Sequence, residues 1–279
     1  MTEKLNEVGR RLVAQSAGRT EADVQADVRD FLLNADLDLE PGEVVLEAQL
    51  ANGSQGRIDV EAGHCVIEVK KDLTKGQVRQ KAEEQLNGYV QARVGQLDRR
   101  YLGVLTDGRR WTLYRPSQGQ LQEVDTLTLT AGDAAAERLE AWFQAVLATN
   151  DTIPPTPQEV HARLGAASPA FRVDYLDILA MYEMVRDQPE VQLKRQLWAK
   201  LLTTALGTQF QDTDELFAEH TYLVIVAELV AHAVMDFTLN DPSLTPSALV
   251  SGELFRQAGI FGVVESDFFD WVLHAPGGE

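Results

Sequence analysis

Apolar positions change period several times in the first half of the chain and hold a single period through the second. Leu5, Val8, Leu12 and Val13 recur at helical spacing. Thr20-Glu21-Ala22-Asp23 reads as a capping box opening a second helix with the stripe Val24, Val28, Phe31 and Leu32. After the Pro41-Gly42 turn the period shortens to two. Glu43 to Leu50 is a predicted strand, Asn52-Gly53 with Gly56 turn the chain, and two more strand-like runs follow, Arg57 to Val60 and His64 to Lys70. A long helix is expected from about Thr74 to Val94. Tyr101 to Tyr114 reads as a hairpin turning at Asp107-Gly108, residues that tolerate positive φ. Leu121 to Thr130 adds an edge strand, and Ala134 to Leu147 closes the unit as a helix burying Leu139, Trp142, Phe143 and Val146.

Asn150 to Pro157 is polar and proline-rich, so it reads as a linker. Beyond it only helical segments are predicted: about Gln158 to Leu164, Phe171 to Arg186, Gln192 to Leu206 and Asp214 to Phe237, with further ones to the end. Leu223, Val224, Val226, Ala227, Val230, Ala231 and Val234 make the fourth apolar on most of its surface, which predicts a central place in a bundle. The expected organisation is an α/β domain over 1–148 with a mixed sheet flanked by helices, a linker at 149–157, and an all-α domain over 158–279.

Composition narrows the setting. A hydrophobic share of 44% and a charged share of 24% are those of a soluble globular protein. No run approaches the length of a membrane span and the N-terminus has no apolar signal core, so a cytoplasmic location without membrane contact is expected. The single cysteine, Cys65, excludes an internal disulfide and a CxxC zinc site. The net charge of −18 opposes simple nucleic-acid binding, because Lys and Arg supply most nonspecific affinity for phosphate. Residues 1–150 hold 18 Lys+Arg against 24 Asp+Glu, and residues 151–279 hold 7 against 19. Basic residues nevertheless cluster at Arg57, Lys70, Lys71, Lys75, Arg79 and Lys81.

The chemistry concentrates in GRIDVEAGHCVIEVKKDL, residues 56–73. Strand alternation points Glu68 and Lys70 one way and Cys65, Ile67 and Val69 the other, into a core. With Asp59 on the neighbouring strand of a hairpin, two carboxylates reach one face. Together with a peptide carbonyl they make a hard-oxygen site suited to Mg²⁺, with Lys70 beside a water and a phosphate under attack.

Asp59 followed by Glu68-x-Lys70 resembles the PD-(D/E)XK nuclease signature, with Ile58 where that pattern has proline. Gln85-x-x-x-Tyr89 is similar to the QxxxY motif that follows the lysine in some of these nucleases, including type I restriction subunits. The TDG hairpin resembles the next segment of such domains. The HTYLVIVAELVAHAVM and GIFGVVESDFFDWVL segments resemble the helical connector of fused, type IIG-like restriction-modification enzymes. The resemblance implies a restriction-endonuclease-like fold and Mg²⁺-dependent cleavage of double-stranded DNA, with Mn²⁺ as a substitute cation. It implies Asp59, Glu68, the Val69 carbonyl and Glu21 as metal ligands, and catalytic roles for Asp59, Glu68, Lys70, Gln85 and Tyr89. It also implies methyltransferase and target-recognition partners, with S-adenosylmethionine confined to them, and transient pairing of two nuclease domains for double-strand cleavage. The sequence has neither a Gly-rich adenosylmethionine loop nor Asn-Pro-Pro-Tyr, so an N-terminal portion of such an enzyme is expected.

Other chemistries find less support. There is no HExxH, no phosphate-binding Gly loop and no nucleophile elbow. Glu228 and His232, one helical turn apart, lack further ligands for a metal, and an intrahelical hydrogen bond is expected instead. Two alternatives to the restriction reading stay open: a noncatalytic docking module on the same fold, and a standalone repair or defence nuclease.

Overall fold

The computed structural model describes residues 3–14, 18–37, 39, 41–49, 57–97, 99–132, 134–147, 156–207, 210–235, 245–261 and 268–276. The expected linker and the Asn52-Gly53 turn lie mostly or wholly outside them. The chain divides into two compact units, Met1–Pro154 with His161–Ala170, and Pro155–Val160 with Phe171–Glu279.

In the first unit, helices α1 (Glu3–Val13) and α2 (Glu21–Asn34) precede strands β1 (Val44–Gln49), β2 (Arg57–Ala62) and β3 (Cys65–Val69). Helix α3 (Gly76–Leu97) leads to β4 (Leu102–Thr106), β5 (Arg110–Ser117) and β6 (Gln120–Thr128), and α4 (Ala135–Leu147) follows. The predicted capping box forms: the Thr20 hydroxyl accepts from Asp23 N–H while the Asp23 carboxylate accepts from Thr20 N–H. Such a cap stabilises a helix by about 1 kcal/mol. The six strands lie in chain order, β1-β2-β3-β4-β5-β6, and the sheet is antiparallel except where β3 meets β4. That parallel pair requires a crossover, and α3 supplies it.

β3 and β4 are central and buried on both faces, every residue of each being buried. The expectation that Glu68 and Lys70 would line a polar face of β3 is therefore corrected for Glu68. Helix α3 lies over that face, packing Ala82, Leu86 and Val90 against Val66 and Leu105. Gly103 makes the approach close, since a Cβ there would meet Leu86 and Val90 at 3.1–3.2 Å. Phe143 of α4 gathers Phe31 of α2, Trp111 of β5 and Trp142 of its own helix at centroid distances of 5.1–5.8 Å. The β4–β5 turn falls where predicted. Gly108 adopts φ +87°, and a Cβ there would come within 2.6 Å of the Leu12 carbonyl.

Helix α5 (Pro157–Leu164) crosses the unit boundary. The second unit contains α6 (Pro169–Val185), α7 (Pro189–Leu206), α8 (Asp214–Val234), α9 (Pro246–Val250) and α10 (Glu253–Gln257). Tyr182, Trp198, Phe217, Tyr222 and Trp271 form its core, with the Arg195 guanidinium 4.5 Å from the Trp198 ring.

α8 departs from expectation in two ways. Among the described residues it is the one helix long and apolar enough to cross a membrane by length and composition, although no such run was expected. It is also not wrapped on all sides. Leu223 and Val234 are 61% and 65% exposed, while Glu228 and His232 face inward. The His232 ring stacks on Phe255 at 4.2 Å, and the Glu228 carboxylate oxygens have no hydrogen-bond partner among the described residues, so the expected bond between the two side chains does not form.

Candidate active site

β2 and β3 pair antiparallel with Val60 opposite Ile67 and Glu61 opposite Val66. One further step of that register sets Asp59 across from Glu68. There the ladder gives way to a side-chain contact, the Val69 N–H donating to Asp59 Oδ2 at 2.8 Å. The Lys70 N–H donates to the Thr106 carbonyl of β4 at 2.9 Å, which keeps residue 70 aligned with the central strands. α2 closes the other side. Gln25 Nε2 donates to the Asp59 carbonyl at 2.6 Å, and Glu21, one turn earlier, reaches Lys70.

The result is an ammonium held among three carboxylates. Lys70 Nζ lies 2.6 Å from Glu68 Oε1, 3.4 Å from Glu21 Oε1 and 3.9 Å from Asp59 Oδ2. Glu68 is 2% exposed and its second oxygen, Oε2, is buried without a hydrogen-bond partner. Burial and then the Asp59 charge push the Glu68 carboxyl up to about 7, against which the Lys70 contact acts. Asp59 is also raised, by burial, with the Val69 N–H and Lys70 opposing. Lys70 is raised as well: burial disfavours its charge, but the Glu68 bond and the surrounding carboxylates hold it above an ordinary lysine. Lys70 is therefore held as a cation, and the Glu68 carboxyl is easier to protonate than an ordinary glutamate.

Of the residues picked out in the sequence, Glu21, Asp59, Glu68 and Lys70 come together. Tyr89 lies at their edge: burial followed by the Glu68 and Asp59 charges raises its phenol, with Lys70 and the Arg57 backbone acting against them. Gln85 is exposed on α3 with no hydrogen-bond partner among the described residues, so the Gln-Tyr pair reaches the cluster through its tyrosine alone. Val69 contributes its N–H to Asp59. The expected basic patch is smaller than its residue count, because Arg79 bonds Glu83 and Glu123 and Arg57 bonds Glu47. Cys65 is buried, as expected.

Among the described residues no three His, Cys, Asp or Glu side chains are grouped to enclose a metal ion. Lys70 Nζ occupies the space between the carboxylates that such an ion would need. The donor set still suits a hard divalent cation: three carboxylates face one ammonium, and Glu68 Oε2 is an orphaned buried acceptor. Gln25 and Glu47 were missed in the sequence. The signal for Gln25 was its position one turn after Glu21. For Glu47, whose charge helps hold Asp59 up, the residues give no local sign.

Fold and site together define a class: an α/β domain, compatible with a nuclease-like fold, whose mixed sheet carries a carboxylate–lysine cluster at the end of a central strand. The chain belongs to the family described as MmeI, N-terminal domain, whose model matches residues 3–201. That membership sets it in a restriction-modification context. The match takes in the whole cluster and ends within α7. No curated protein and no solved structure matches the chain.

Proposed function

We propose that this chain is the DNA-cleaving module of a restriction-modification enzyme, a metal-dependent deoxyribonuclease of the PD-(D/E)XK kind. The observation that carries the reading is the convergence of Asp59, Glu68 and Lys70 around a buried carboxylate oxygen with no partner. Asp59 and Glu68, with the Val69 carbonyl and Glu21, are the residues that would hold Mg²⁺ or Mn²⁺. When bound, the cation supplies Lewis-acid polarisation of a phosphoryl oxygen and lowers the pKa of water.

The side chains do the rest. In net hydrolysis a water oxygen bonds to phosphorus, one P–O ester bond breaks, the water gives up a proton and the departing oxygen gains one. Lys70, fixed as an ammonium, donates to the water oxygen and orients it, and it offsets charge growing on the phosphate. For Glu68 Oε1 to help hold a cation, Lys70 would have to release it, which would leave the ammonium free for the substrate. Tyr89, with Gln85, orients the substrate or Lys70. Methyltransferase and target-recognition domains hold the duplex, which accounts for a module of charge −18 that works on a polyanion.

The test is nicking of supercoiled plasmid by the chain with its partner domains, alongside isothermal titration with Mn²⁺. Asp59→Ala is expected to lose cleavage and cation binding, and Lys70→Ala to lose cleavage while both stay folded. Wild-type cleavage by both variants refutes the site. The acidic charge favours a second reading, a noncatalytic docking module, and that reading predicts no Mn²⁺ uptake even by the wild type.

A further inference from the structure

The site has a conspicuous electrostatic need. Glu21, Asp59 and Glu68 surround one ammonium, so an approaching phosphodiester meets a negative field, and Lys70 is already engaged by all three. A second cation at the mouth would relieve this. Arg57 is two residues from Asp59 on β2, and the exposure along that strand alternates so that Arg57, Asp59 and Glu61 share the less buried face.

Arg57 is held in a particular way. The β1–β2 register runs Val44↔Ala62, Val45↔Glu61, Leu46↔Val60, Ala48↔Ile58 and Gln49↔Arg57. The pair left unformed inside it is Glu47 across from Asp59. Glu47 has φ +49°, a left-handed conformation that a glutamate rarely adopts. Its carboxylate lies 2.8 Å from Arg57 Nη1, and the two side chains are 61% and 62% exposed. The Arg57 main chain is anchored separately, by its place in the β1–β2 ladder opposite Gln49. So the backbone is fixed at the edge of the cluster while the guanidinium reaches water, bonded among the described residues to one exposed carboxylate.

We infer that Arg57 is a substrate-phosphate ligand of this site, parked on Glu47 until a DNA phosphate displaces the carboxylate. A guanidinium presents the same forked donors to a carboxylate and a phosphate. An exposed ion pair holds weakly in water, so the exchange needs little driving force. The inference rests on the nuclease reading and adds to it the residue that receives the phosphodiester.

The two partners have opposite expected effects, and that contrast is the test. Binding of a short fluorescein-labelled DNA duplex is followed by anisotropy with Ca²⁺ in place of Mg²⁺, using the full chain with its partner domains. Arg57→Gln is expected to weaken binding roughly tenfold or more, the effect of a lost charged hydrogen bond. Glu47→Gln frees the guanidinium and is expected to tighten binding by about two- to fivefold, the strength of the exposed pair it removes. Arg57→Lys, which keeps the charge without the fork, falls between and serves if Arg57→Gln does not fold. Equal weakening by both substitutions marks a structural pin and overturns the inference. Wild-type binding by both overturns it as well, and leaves the nuclease reading intact if Lys70→Ala still abolishes nicking. A wild-type assembly that neither binds nor nicks the duplex removes the nuclease reading and this inference together.

Discussion

Each of the two units buries a glutamate where water cannot reach it, and the two sites treat it differently. Glu68 is 2% exposed and bonded to Lys70, with Asp59 and Glu21 near the same ammonium. Glu228, on α8, is 5% exposed, and neither of its oxygens has a hydrogen-bond partner among the described residues. Burial is the leading cause that raises both, to about 7 and about 8. What differs is the company. Desolvation alone favours a neutral acid, which stays inert in an apolar setting. Desolvation beside an ammonium and further carboxylates leaves an acid in contact with a cation. A raised carboxyl is therefore a poor marker of function by itself, and its neighbours decide the matter.

One substitution made at both positions sharpens the contrast. Glu68→Gln is expected to reduce Mg²⁺-dependent nicking by about 10²–10³-fold, the usual effect of removing one charge-stabilising group from a catalytic site. It also abolishes Mn²⁺ uptake by titration. Glu228→Gln leaves both unchanged and alters stability instead. The folded state holds the Glu228 proton up to about pH 8, whereas the unfolded chain releases it near 4.5. Between those values the folded state binds one more proton, so stability falls as pH rises and levels off above about 8. Removing the carboxyl flattens that slope, which spans on the order of 5 kcal/mol between the two pKa values. Urea denaturation at pH 5 and pH 9, values chosen at about the two ends of the window, reads the difference. A wild-type slope retained in Glu228→Gln would locate the titrating group elsewhere.

A smaller effect is expected from Gln25→Ala. Its amide ties α2 to the Asp59 carbonyl at 2.6 Å, and losing such a bond costs about 1 kcal/mol. Because Asp59 keeps the Val69 N–H, nicking should fall less than tenfold, by about the factor that 1 kcal/mol represents. A loss as deep as that of Glu68→Gln would make Gln25 part of the chemistry and not of its support.

Local rules made much of the first unit readable. The capping box, the Asp107-Gly108 hairpin and the Asp59, Glu68 and Lys70 spacing are short-range signals, and each falls where its residues point. Long-range packing hid the rest. Alternation on β3 suggests a half-exposed strand, yet α3 covers the polar face and buries Glu68. Gln25 looks like an ordinary helix residue until α2 lies against β2. A glutamate in left-handed backbone has no composition cue, unlike glycine or asparagine, so Glu47 was invisible. In α8 the density of apolar residues indicates a helix with something to bury but not which side is buried. The fold puts Glu228 and His232 inward and leaves Leu223 outward.

That reversal sets the smallest expected effect. On α8 the positions 223, 227 and 234 share one side at helical spacing, and Leu223, Ala227 and Val234 there are all exposed. If exposure governs their contribution, Leu223→Gln and Val234→Gln each change the unfolding free energy by less than about 0.5 kcal/mol, as other surface substitutions do. The inward Thr221→Val is the control: it removes a hydroxyl bonded to the Phe217 carbonyl at 2.9 Å in a fully buried position, and should cost about 1 kcal/mol. Urea denaturation of the three variants decides the orientation of α8 without reference to any activity. Should the outward pair cost more than Thr221→Val, the helix packs the other way round, Glu228 faces water, and the contrast between the two glutamates loses its second member.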